Sequence, residues 1–70
     1  MIRVGSSVKW KWANGIATGK VSATYTKKIT KTIKGSKITR NGSKENKALY
    51  IEQDDGDYVL KLESEVNKTD

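Results

Sequence analysis

The chain has 70 residues, 14 Lys or Arg against eight Asp or Glu, and neither cysteine nor histidine. That length allows one domain with a single small core. The composition excludes disulfides, the usual Cys/His zinc sites and catalysis built on a histidine base or a cysteine nucleophile. Charge is unevenly spread: residues 1–47 carry twelve cations and one acid, and residues 48–70 carry two cations and seven acids. A chain so polarised either packs its halves together or offers its basic part to an anionic partner.

In chain order, the first element is Val8-Lys9-Trp10-Lys11-Trp12. Its strict alternation is that of a half-buried strand, with Val8, Trp10 and Trp12 on one face and Lys9 and Lys11 on the other. Mid-strand Trp10 reads as core. Trp12, two residues nearer the turn, reads equally as core or as a stacking platform at the rim. Asn14-Gly15 supplies hairpin turn chemistry, and the next strand runs from Ile16 to Tyr25. Gly19 inside it predicts a bulge or sharp bend.

Residues 26–39 are rich in β-branched side chains and predict a second hairpin. Its arms are Lys28–Lys31 and Lys37–Arg40, and Gly35-Ser36 is read as the turn. That turn would place Lys34 opposite Lys37, Ile33 opposite Ile38, Thr32 opposite Thr39 and Lys31 opposite Arg40, which gives two repulsive pairs. Lys44 to Lys47 forms a polar connector. Ala48–Glu52 and Tyr58–Leu62 read as strands around the turn Asp54-Asp55-Gly56-Asp57. Glu63 to Val66 has room for one helical turn, and residues 67–70 are expected to fray. About five short strands without a long helix predict an all-β fold, a small antiparallel barrel filling residues 1–70 with its core at about 4–66.

Two strings carry a family likeness. The first is Val4-Gly5-x-x-Val8-x-Trp10 with Gly15 and Gly19-Lys20-Val21. The second is Thr30-Lys31-Thr32-Ile33-Lys34-Gly35, Thr39-Arg40-Asn41 and Tyr50-Ile51-Glu52-Gln53-Asp54-Asp55-Gly56-Asp57-x-Val59-Leu60-Lys61-Leu62-x-Ser64-Glu65. The first resembles the opening of SH3-like and Tudor-like barrels. Together they resemble the hypervirulence-associated proteins with a TUDOR domain, over residues 4 to 66. The resemblance implies a Tudor-like barrel and supplies no ligand. With five aromatic residues in the chain, some of them needed for the core, a full aromatic cage for a methylated cation is not expected.

The functional expectation is a non-catalytic, cytoplasmic binding module that uses no cofactor and no metal. The acidic turn at 53–57 lies between strands and lacks the spacing of an EF-hand loop. The opening MIRVGSSVKW lacks the apolar run of a signal peptide, so none is expected, and the sequence shows no transmembrane run and no phosphate-binding glycine motif. Lys28, Lys31, Lys34, Lys37 and Arg40 recur every three residues. They form a candidate surface for nucleic-acid phosphates, with Trp12 or Tyr25 stacking on an unpaired base. Having only two arginines argues for weak sequence specificity. The alternative is a protein partner, a peptide or subunit taken up by the aromatic rim or a strand edge. The chain is expected to be a monomer or weakly self-associating. Finding Glu52, Asp54, Asp55 and Asp57 against the hairpin lysines would count against the anionic partner.

Overall fold

The computed structural model describes residues 2–13 and 15–69. The order of elements is β1 (Ser7–Trp12), β2 (Gly15–Tyr25), β3 (Lys28–Ile33), β4 (Ser36–Asn41), β5 (Ala48–Gln53), β6 (Tyr58–Leu62), a single 3₁₀ turn (Glu63–Glu65) and β7 (Asn67–Lys68). The all-β reading holds, and the single helical turn lies where it is expected. Five strands form an antiparallel sheet in the order β6-β5-β2-β1-β7, and β3–β4 is a separate two-stranded sheet. The barrel is closed by packing the β3–β4 hairpin against β6, not by a continuous hydrogen-bonded ladder. Among the described residues no helix is long and apolar enough to cross a membrane.

Alternation builds the core. Residues opposite each other in a ladder share a face, so Val8 and Trp10 on β1, Val21 on β2 and Ile51 on β5 point the same way. With Leu49 and Val66 they form one buried cluster, and Ile2, Ala17 and Val59 pack against it. Each fully buried aliphatic side chain contributes about 1.5–3 kcal/mol relative to exposure.

Two backbone features differ from the sequence reading. The bulge in β2 falls at Ser22, where the register against β5 shifts between Val21 and Ala23. Gly19 instead permits a close approach, since a Cβ there would lie 2.6 Å from the Glu52 carbonyl oxygen and 2.7 Å from Ile51 Cγ2. Its missing side chain lets β2 and β5 come together. The extra residue at Ser22 reverses the facing of everything after it, so Ala23 and Tyr25 join Tyr50 on the face opposite the core cluster.

The hairpin turns also shift. Gly15 pairs with Trp12 as the first residue of β2 and so is not a turn residue, and Ala13 just after β1 sits at φ +44°; Asn14 lies outside the described residues. In the second hairpin Ile33 pairs with Ser36, which makes Lys34-Gly35 the turn. Their φ values of +51° and +79° fit the I′ turn, whose twist matches the flanking strands. Opposite partners therefore move by two residues: Thr30 faces Thr39, Lys31 faces Ile38 and Thr32 faces Lys37. Both anticipated like-charge pairs vanish, and the Thr30 and Thr39 hydroxyls hydrogen-bond at 2.8 Å.

The expected fraying of 67–70 is not found over 67–69. Asn67 and Lys68 pair with Lys9 and Val8, and the Thr69 N–H donates to the Ser7 carbonyl at 2.9 Å; Asp70 lies outside the described residues. Buried Val66 anchors this segment from the other side.

Candidate functional site

The basic hairpin does not present its cations as one row. Alternation puts Lys28 and Lys37 on the exposed outer face, and Lys31 and Arg40 on the half-buried inner face with Ile29, Ile33 and Ile38. Lys34 occupies the tip. Its ammonium lies 3.0 Å from an Asp57 carboxylate oxygen, and that hydrogen bond, then the charges of Asp57 and Asp55, raises the Lys34 pKa. At the base, Arg40 Nε donates to Glu65 Oε1 at 3.2 Å. Partial burial opposes the charge on Glu65, but the Leu62 N–H, Arg40 and Lys61 together hold its carboxyl below the usual carboxylate range.

Of the four acids at 52–57, Asp57 meets a hairpin lysine. Asp54 instead accepts a hydrogen bond from the Thr18 hydroxyl at 3.2 Å. The only two salt bridges among the described residues are Lys34–Asp57 and Arg40–Glu65. The chain's own carboxylates thus engage two of the five predicted contact cations.

Lys31 has aromatic neighbours. Its ammonium sits 5.3 Å from the Tyr25 ring centre and 5.0 Å from that of Tyr50, within cation–π range. Tyr50 stacks on Tyr58 with ring centres 4.6 Å apart. The Ser22 bulge makes this cluster possible, because it turns Tyr25 to the Tyr50 face. The tyrosine surface is thereby occupied by a cation of the same chain.

The two tryptophans separate sharply. Trp10 is 4% exposed and belongs to the core; Trp12 is 58% exposed on the same face of β1. Both line an open cleft of about 380 Å³ with Lys34, Gln53, Asp55, Val59 and Lys61. The structure therefore brings Lys34 to Trp12 and, separately, Lys31 to Tyr25. It leaves Lys28 and Lys37 on the outer hairpin face and Arg40 at the base. Lys61 was missed by sequence reasoning. Its alternation on β6 marks it as sharing the face of Val59, but nothing local indicates that Trp12 lies across the cleft. Among the described residues no group of three or more acidic, His or Cys side chains is placed to hold a metal.

The comparison with family models agrees with this architecture. The model of the hypervirulence-associated proteins' TUDOR domain matches residues 5–66. The chain belongs to that family. The match covers nearly the whole polypeptide, from Gly5 before β1 through buried Val66. No curated protein and no solved structure matches it. Family membership thus fixes a Tudor domain, while the cleft and the hairpin carry any reading of its ligand.

Proposed function

We propose that this Tudor domain is a non-catalytic module that binds single-stranded nucleic acid with weak sequence specificity. The observation that carries the reading is the exposed Trp12 ring on a cleft rimmed by Lys34 and Lys61. An aromatic platform beside cations is the pattern by which unpaired bases are stacked and their phosphates neutralised. The Lys34–Asp57 pair does not close the site. Its side chains are 70% and 42% exposed, and solvent screens such pairs so that they contribute little, which lets a phosphate replace the carboxylate. Lys28 and Lys37, on the outer face, extend the cationic surface. The non-catalytic part is supported by the lack of a buried general base: Ser6 is the only buried polar residue among those described, and its Oγ accepts the Arg3 N–H at 3.1 Å. A cysteine-free chain has no need of an oxidising compartment, which accords with a cytoplasmic location.

Salt titration with oligothymidylate tests the proposal. For single strands, log K falls with log salt by about 0.7 for each phosphate neutralised. Substituting Lys34 and Lys61 together by alanine is expected to flatten that slope by roughly 1.4, two such contacts. No association at low salt, or an unchanged slope in the double variant, overturns it.

A further inference from the structure

We propose that the outer edge of β3 accepts an extended, acidic segment of a partner protein as an added strand. The argument starts from the Lys34-Gly35 turn. In a two-residue hairpin the residues flanking the turn, here Ile33 and Ser36, exchange main-chain hydrogen bonds. Lys31 and Ile29 then bond to β4 as well, and the Gly42 N–H to Lys27 carbonyl bond of 3.1 Å closes the same ladder at its far end. Inward-bonded residues alternate with outward ones along a strand. The N–H and C=O groups of Lys28, Thr30 and Thr32 therefore point away from β4. All three residues are exposed, and among the described residues β4 is the only strand hydrogen-bonded to β3, while β6 packs against the hairpin without a ladder.

The remaining edges offer less. β4 packs against β6, and its Thr39 carbonyl is taken by Arg40 Nη1 at 3.0 Å. β1 is covered by β7 at Val8 and Lys9. β3 is thus a six-residue edge with three outward pairs of main-chain groups. Such an edge is completed by a polypeptide strand, since a nucleic acid has no alternating amide donors and acceptors.

Charge selects the kind of polypeptide. Residues 26–42 hold Lys27, Lys28, Lys31, Lys34, Lys37 and Arg40 and no acid. A second copy adding its own β3 would bring another Lys27 and Lys28 to the same seam. A strand carrying glutamate or aspartate faces complementary charge opposite Lys28. The lysines thus repel basic strands and attract acidic ones, which is specificity by charge. This surface does not depend on the nucleic-acid reading.

The test uses the full chain labelled with ¹⁵N and two ten-residue probes, one alternating glutamate and valine, the other lysine and valine. The acidic probe is expected to slow solvent exchange of the Lys28, Thr30 and Thr32 amides about tenfold or more, with little change at Ile29, Lys31 and Ile33, which are already bonded to β4; the basic probe leaves all six unchanged. Thr30→Pro removes one outward donor at an edge position where proline is tolerated, and it should weaken the acidic probe at least tenfold. If that variant does not fold by circular dichroism, Lys28→Glu serves instead, and it should weaken the acidic probe and admit the basic one. Exchange unchanged by the acidic probe, equal effects of the two probes, or protection that rises with protein concentration alone each overturn the proposal.

Discussion

Replacing Trp12 by alanine should separate binding from stability, and replacing Trp10 should do the reverse. The two rings stand on one face of β1, two residues apart, yet Trp12 is 58% exposed and Trp10 only 4%. A ring that leaves most of its surface in water loses little on truncation, about 1 kcal/mol or less of folding free energy. If that ring stacks on a base it supplies about 1–3 kcal/mol of affinity. At ~1.4 kcal/mol for each tenfold change, Trp12→Ala should weaken oligothymidylate binding roughly 5- to 150-fold. Trp10→Ala leaves a hole in the core and costs about 3–5 kcal/mol. Small domains hold about 0.05–0.15 kcal/mol per residue, so that loss removes much of the stability of this fold. Fluorescence anisotropy of a labelled oligothymidylate, read beside urea unfolding followed by circular dichroism, measures both quantities. Unchanged affinity in Trp12→Ala refutes the stacking role. A urea midpoint that falls as far for Trp12→Ala as for Trp10→Ala refutes the assignment of the rings.

Two further variants probe the frame. Gly19→Ala forces a methyl against the Glu52 carbonyl and Ile51 Cγ2 and should destabilise the domain by about 1–3 kcal/mol in urea melts; a shift within error would show that β2 and β5 can separate at no cost. Lys34→Asn installs the Asn-Gly pair that I′ turns prefer, while removing a cation from the Trp12 cleft. It should raise or preserve the melting temperature and weaken oligonucleotide binding severalfold, and full affinity in this variant would remove Lys34 from the site.

Much of the architecture can be read along the chain. Alternation in Val8–Trp12 assigns the strand, its core face and Trp10 as a core ring, because side chains on a strand point alternately to its two faces whatever packs above them. Tyr58–Leu62 and the Asp-Gly turn before it are equally plain. The hairpin register is different. Glycine at the first or second turn position suits a II′ or an I′ turn, so Gly35-Ser36 and Lys34-Gly35 are both acceptable locally. Both registers leave Ile29, Ile33 and Ile38 on the same face, so the hydrophobic pattern cannot choose between them.

The tertiary structure decided what alternation could not reach. Glycine within a strand signals a bulge or a close approach with the same residue, and only Ile51 and Glu52 across from Gly19 reveal which one applies. The true bulge, at Ser22, has no glycine to mark it, yet it carries Tyr25 to the side of Tyr50 and Lys31. The exposure of Trp12, the meeting of Lys34 with Asp57 and the open edge of β3 likewise depend on contacts between distant parts of the chain. Sequence determined which side of each regular strand is apolar, since that is a property of neighbouring residues. Which of those sides is covered, and which charges are already paired, depended on where the hairpin comes to rest.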